Sequence, residues 1–170
     1  MKAIAPGGVA KVAETVGISA VKYADAARTA LATMSSAPGQ GDLAPEQHRD
    51  LSAVRVRAGI EASSGRGKID PEVLQNAPLL LEHPGERAHE WRQIGYPESL
   101  VLAAADFKPN VLRNYLFELA NRYNSFFRDC PVLKAPSDDI RLSRLLLCEL
   151  TARTIRQGLS LLGIATIERM

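Results

Sequence analysis

Residues 109–127, PNVLRNYLFELANRYNSFF, decide the fold: Leu112, Leu116, Leu119, Tyr123 and Phe126 recur at spacings of four, three, four and three. Such steps return to one face of a helix with 3.6 residues per turn, so the five side chains form a single apolar stripe. Pro109 suits a first helical turn, where its missing N–H costs nothing, and Pro131 stops the helix. Beyond it, Ser137, Asp138 and Asp139 offer capping oxygens and negative charge to the positive end of a second helix. There Leu145, Cys148, Ala152, Ile155, Leu159 and Leu162 repeat the three–four rhythm, and Gly163 stands where a C-terminal glycine cap is expected. Two long amphipathic helices joined by a short Pro-containing loop should pack on each other.

Shorter helices flank this pair. Pro97 and Glu98 fit the first turn of a helix running to about Asp106. Leu79-Leu80-Leu81 leads into a turn at Pro84-Gly85, after which Glu86 to Arg92 starts another. Residues 9–34 are a helical candidate with Val12, Val16, Ile18, Val21 and Ala27 on a partly apolar face, interrupted by Gly17. Between them, Ser35 to Asp42 and Ser63 to Lys68 are breaker clusters, so residues 35–70 are expected to be disordered or irregular. Strand alternation is nowhere convincing. The expected fold is all-α, a helical bundle.

A chain of 170 residues, 46% hydrophobic and 24% charged, has room for one domain with a real core. Its net charge of +2 neither demands nor excludes a polyanionic partner, so a nucleic-acid surface would need locally clustered cations. Cys130 and Cys148 lack metal-ligand spacing and read as small buried hydrophobes in a reducing compartment. No apolar run is long enough to span a bilayer and the first residues lack a signal-peptide core, which makes cytoplasm the default. No acid–base pair, nucleophile–base dyad or metal cluster stands out; no catalytic residue and no metal are expected.

Several stretches carry a resemblance. They are Leu80-Leu81-Glu82-His83-Pro84-Gly85-Glu86-Arg87-Ala88, Asn114 to Ala120, Asn124 to Leu133, and Gln157 to Ile164 with the closing Glu168-Arg169-Met170. In order and spacing they resemble the anticodon-binding (DALR) domain of arginyl-tRNA synthetases. Glu14 to Asp25 is similar to that family's junction between catalytic and anticodon-binding domains. The resemblance implies a helical bundle of the class I synthetase type that binds the anticodon loop of tRNA(Arg). It divides the chain into 1–25, the end of a catalytic domain; 26–70, a linker; and 71–170, the DALR domain.

In the full-length family enzyme, ATP activates arginine. The family's ATP-binding His-x-Gly-His motif and its mobile Lys-Met-Ser-Lys-Ser-like loop have no counterpart here: His48, His83 and His89 stand in no such motif. Gly65-Arg66-Gly67-Lys68 is not a P-loop, since Ala62 and Ile69 occupy the places that require Gly and Ser or Thr. The chain is therefore expected to be non-catalytic alone, a fragment with no cofactor of its own, and a separate catalytic chain is a partner to consider. A free-standing helical protein-interaction module and the inactive product of a decayed gene are the alternatives. The family's T-A-x-Y-x-Q-Y-A-like helix is also missing. A choice of third bases for Gln47 to Ala58 yields NTATYLQYAYA when read one base later, so out-of-frame sequence is a second reading of residues 26–70.

Proteins read unpaired anticodon bases by stacking on aromatic or guanidinium planes and by hydrogen bonds to base edges. Tyr115 lies off the apolar stripe and is either a stacking platform or a second-face core residue. Phe127 has the same two readings. Asn121 and Asn124 offer amides to base edges, with helix bracing as the alternative for Asn124. Arg113, Arg122 and Arg128 are phosphate candidates, with exposed solvated arginines as the alternative. Arg141, Arg144, Arg153 and Arg156 supply basic charge along the last helix, Arg153 and Arg156 on one face, where a solvated face is the alternative. The resemblance adds Arg169 and Met170 near the anticodon loop.

Overall fold

The computed structural model describes residues 6–26 and 76–166. Expectations placed on residues 27–70, and on Arg169 and Met170, fall outside the described residues. Those described form five helices: α1 (Pro6–Ala26), α2 (Pro84–Ile94), α3 (Tyr96–Ala105), α4 (Pro109–Asp129) and α5 (Asp138–Leu161). The fold is all-α, as the apolar spacing implies.

Helix α4 is the axis of the bundle, with α1, α2, α3 and α5 all packing on it. All five residues of its stripe are buried, Leu116, Leu119 and Tyr123 completely. Leu145, Cys148, Ala152, Ile155 and Leu159 meet them from α5, and Leu162 is half-buried at the edge. The two helices are in close contact at Gly158, where a Cβ atom would stand 2.6 Å from Leu116 Cδ2.

The helix ends follow their local chemistry. Helix α2 begins two residues before the expected start, because His83 rather than Gly85 closes the turn. The His83 imidazole accepts the Gly85 N–H at 3.0 Å, while the Glu86 carboxylate accepts the His83 N–H at 2.9 Å, a reciprocal cap. His83 and Pro84 are thus local architecture. Ser137 caps α5 by accepting the Ile140 N–H at 3.3 Å. At its other end Gly163, with φ of 68°, lets the Ile164 N–H reach the Leu159 carbonyl and the Gly163 N–H reach Ser160. Helix α3 closes with the same pattern, Lys108 N–H to Ala103 and Phe107 N–H to Ala104, but the left-handed position is held by Phe107 at φ 52°.

Polar groups lock the layers. Glu86 is fully buried, and Arg144 of α5 donates its Nε–H to that carboxylate at 2.7 Å and an Nη1–H to the Pro131 carbonyl at 2.9 Å. Arg144 is therefore a core residue and leaves the basic surface expected along α5: its partner stands 58 positions upstream, where no local pattern reveals it. Ser143 accepts the Leu80 N–H and donates to the Leu80 carbonyl, both at 2.9 Å, which pins the segment before α2 to α5. His89 sits at the α2–α4–α5 junction, nearly parallel to Phe126 with centroids 5.1 Å apart, its Nε2 2.7 Å from the Thr151 hydroxyl. Thr151 itself donates to the Leu147 carbonyl, so His89 Nε2 carries the ring hydrogen. Burial lowers the His89 pKa to about 4 and keeps the ring neutral. Cys130 and Cys148 are free and buried, and desolvation raises the Cys130 thiol pKa.

Candidate nucleic-acid interface

The predicted site residues separate into a core residue, an outer stripe and a basic end. Tyr115 is 5% exposed. Its hydroxyl donates to the Arg92 carbonyl, its ring lies 5.7 Å from Tyr96, and the Arg92 guanidinium covers it at 4.6 Å. A ring enclosed in this way presents no face to a base, so Tyr115 takes the second of its two readings. Helices α2 and α3 widen the buried arc of α4 beyond the single stripe. Burial raises the hydroxyl pKa to about 12, against the opposing Arg92 charge. Phe127 is half-buried beside Tyr123, with ring centroids 5.9 Å apart.

Opposite the buried arc, α4 carries Asn114, Phe117, Asn121, Asn124 and Arg128 at spacings of three, four, three and four. All are exposed except half-buried Phe117. Asn121, Asn124 and Arg128 thus share one face, amides followed by a guanidinium. Arg128 donates to Asp129 at 2.9 Å, and that bond lowers the Asp129 pKa. Asn114 and Phe117 extend the row. Sequence reasoning passed over both, although the same three–four count along the polar face finds them.

Arg113 lies at the other end of α4, about 22 Å from Arg128 along the axis at 1.5 Å per residue. Because the loop between α4 and α5 is short, α5 runs back antiparallel and brings Arg153 and Arg156 toward this end, both exposed. Arg153 is paired with Glu149 at 2.7 Å. Here α1 meets the tail. Ser19 donates to the Ala165 carbonyl at 3.2 Å, and the Lys22 ammonium donates to the Gly163 carbonyl at 2.9 Å. Ile164 is 3% exposed between them. Tyr23 is fully buried and supports the Arg113 guanidinium 4.6 Å above its ring. An open cleft of about 470 Å³ lies beside them, lined by Lys22, Asp25, Pro109 and Leu161 to Gly163.

Among the described residues no group of three or more His, Cys, Asp or Glu side chains could hold a metal ion, and no helix is long and apolar enough to cross a membrane. The arrangement is a helical bundle with amides and cations displayed along α4 and at one end. The chain belongs to the DALR anticodon binding domain family, whose family model matches residues 67–170.

Among curated relatives, the arginine–tRNA ligase of Crocosphaera subtropica is 40% identical over 165 residues, covering 94% of this chain and 27% of the relative. That of Escherichia coli O9:H4 is 34% identical over 168 residues, covering 96% and 28%. The chain thus spans a little over a quarter of the length of the curated relatives it matches. Its fold is that of solved arginyl-tRNA synthetases. The Plasmodium falciparum enzyme superposes with a TM-score of 0.78 at 19% identity, covering 94% of this chain and 28% of that one. The Thermus thermophilus enzyme superposes with a TM-score of 0.60 at 23% identity, covering 94% and 32%.

Proposed function

We propose that this chain binds the anticodon loop of an arginine-accepting tRNA and serves arginine–tRNA ligation as its RNA-reading part. The match of residues 67–170 to an anticodon-binding family carries the reading. Relatives that are arginine–tRNA ligases support the choice of tRNA. In this reading Asn121, Asn124 and Arg128 offer amides and charge to the RNA from the outer face of α4, and Arg113, Arg153 and Arg156 offer cations to phosphates from the opposite end. ATP-dependent activation of arginine belongs to the catalytic part of the family's full-length enzyme, and the shared task belongs to the cytoplasm.

Binding of the 170-residue chain to arginine-accepting and non-cognate tRNA across a salt series tests the proposal. A recognition module discriminates between them at every salt concentration. Equal affinities that fade together as salt rises would reduce the interaction to bare charge attraction and overturn the reading.

A further inference from the structure

The cleft where α1 meets the tail lies partly outside the matched region, since α1 precedes residue 67. Sites for small metabolites enclose most of their ligand. This cleft is open, which suits one unit of a longer ligand. Its lining is largely apolar, with Ala26, Pro109, Leu162 and Leu161, the last 61% exposed. Two cations stand near it. The Lys22 ammonium has three hydrogens, so its bond to the Gly163 carbonyl leaves capacity for an anionic oxygen. Arg113 is one turn along α4 from Pro109 at the cleft wall, held over a tyrosine ring that is itself completely buried. Asp25 on the wall accepts hydrogen bonds and disfavours a ligand that is anionic throughout. An apolar lining, an acceptor within it and cations nearby match a nucleotide: a flat base with donor groups joined to a phosphate.

We propose that the cleft bounded by Lys22, Asp25, Pro109 and Leu161 to Gly163 is a single-nucleotide subsite, in which Lys22 and Arg113 take the phosphate while the base lies on Leu161 and Leu162. The proposal rests on the RNA-binding reading above and extends the working surface to α1. Ser19 and Lys22 hold the tail against that helix, so the subsite exists only when α1 and the tail are joined.

The test is binding of a short RNA stem-loop with an arginine anticodon to the full 170-residue chain, by fluorescence anisotropy over a salt series. Lys22→Met and Arg113→Met should each weaken binding about three- to tenfold and reduce the slope of log K against log salt by about 0.7–1. Arg113→Lys should keep the slope, and Lys134→Met, which removes an exposed loop cation elsewhere, should change neither quantity. Circular dichroism verifies that each variant retains its helix content, and Arg113→Lys keeps the question answerable if Arg113→Met unfolds. Wild-type affinity and slope in both methionine variants overturn the subsite alone. Failure of the wild-type chain to bind the stem-loop overturns the RNA reading along with it.

Discussion

Gly158 of α5 faces Leu116 of α4 so closely that a Cβ on residue 158 would stand 2.6 Å and 2.8 Å from the two Leu116 methyl carbons. Leu116 is fully buried, packed within the hydrophobic core. Gly158→Ala should therefore destabilise the chain by about 1–3 kcal/mol through overpacking. That outweighs the roughly 1 kcal/mol that alanine gains in helix propensity. Urea denaturation measures the difference, and a stabilised variant would show that the two helices separate without cost.

The buried Glu86–Arg144 pair behaves differently under single and double substitution. Glu86→Gln leaves the Arg144 charge beside an uncharged partner in the core and should cost about 3–5 kcal/mol. The double replacement Glu86→Gln with Arg144→Met removes the stranded charge and should cost less than the sum of the two single changes. Equilibrium unfolding of the three variants completes the cycle; additive losses would deny the coupling.

The neutral, buried His89 gives stability a pH dependence. Its folded pKa of about 4 lies below the ordinary 6.5, so between those values the unfolded chain binds the additional proton. The stability present above pH ~6.5 is lost as pH falls toward ~4, by up to about 3 kcal/mol. His89→Phe should flatten that part of the profile relative to wild type in denaturant titrations at stepped pH. An unchanged profile would mean that the ring is already protonated in the folded chain.

Phe107 occupies the left-handed cap of α3 with 83% of its surface exposed. Replacing it with glycine relieves the backbone and gives up little burial, so Phe107→Gly should raise stability by about 1 kcal/mol. A rise in the thermal midpoint is expected, and a fall would reveal packing by the ring.

The parts of this molecule that were legible in its sequence are those governed by neighbours within one or two turns. The stripe of α4, the proline boundaries, the serine cap of α5 and the left-handed Gly163 all follow from local periodicity and backbone preference. Tyr115 was ambiguous because the number of helices covering α4 determines the width of its buried arc, and a count along α4 carries no trace of α2 and α3. Arg144 resembles its exposed neighbours in sequence, and only the fold brings Glu86 to it. Long-range pairing likewise concealed the cleft, whose Lys22 and Gly163 lie 141 positions apart.

That pairing has a temporal side. The bond from Ser19 to Ala165 spans 146 positions, so during synthesis α1 emerges from the ribosome long before the segment it must grip. Contacts of such separation form late because most of the chain must be ordered first. The nascent polypeptide therefore carries half of a clasp, which shuts only once the segment holding Gly163 and Ala165 has emerged.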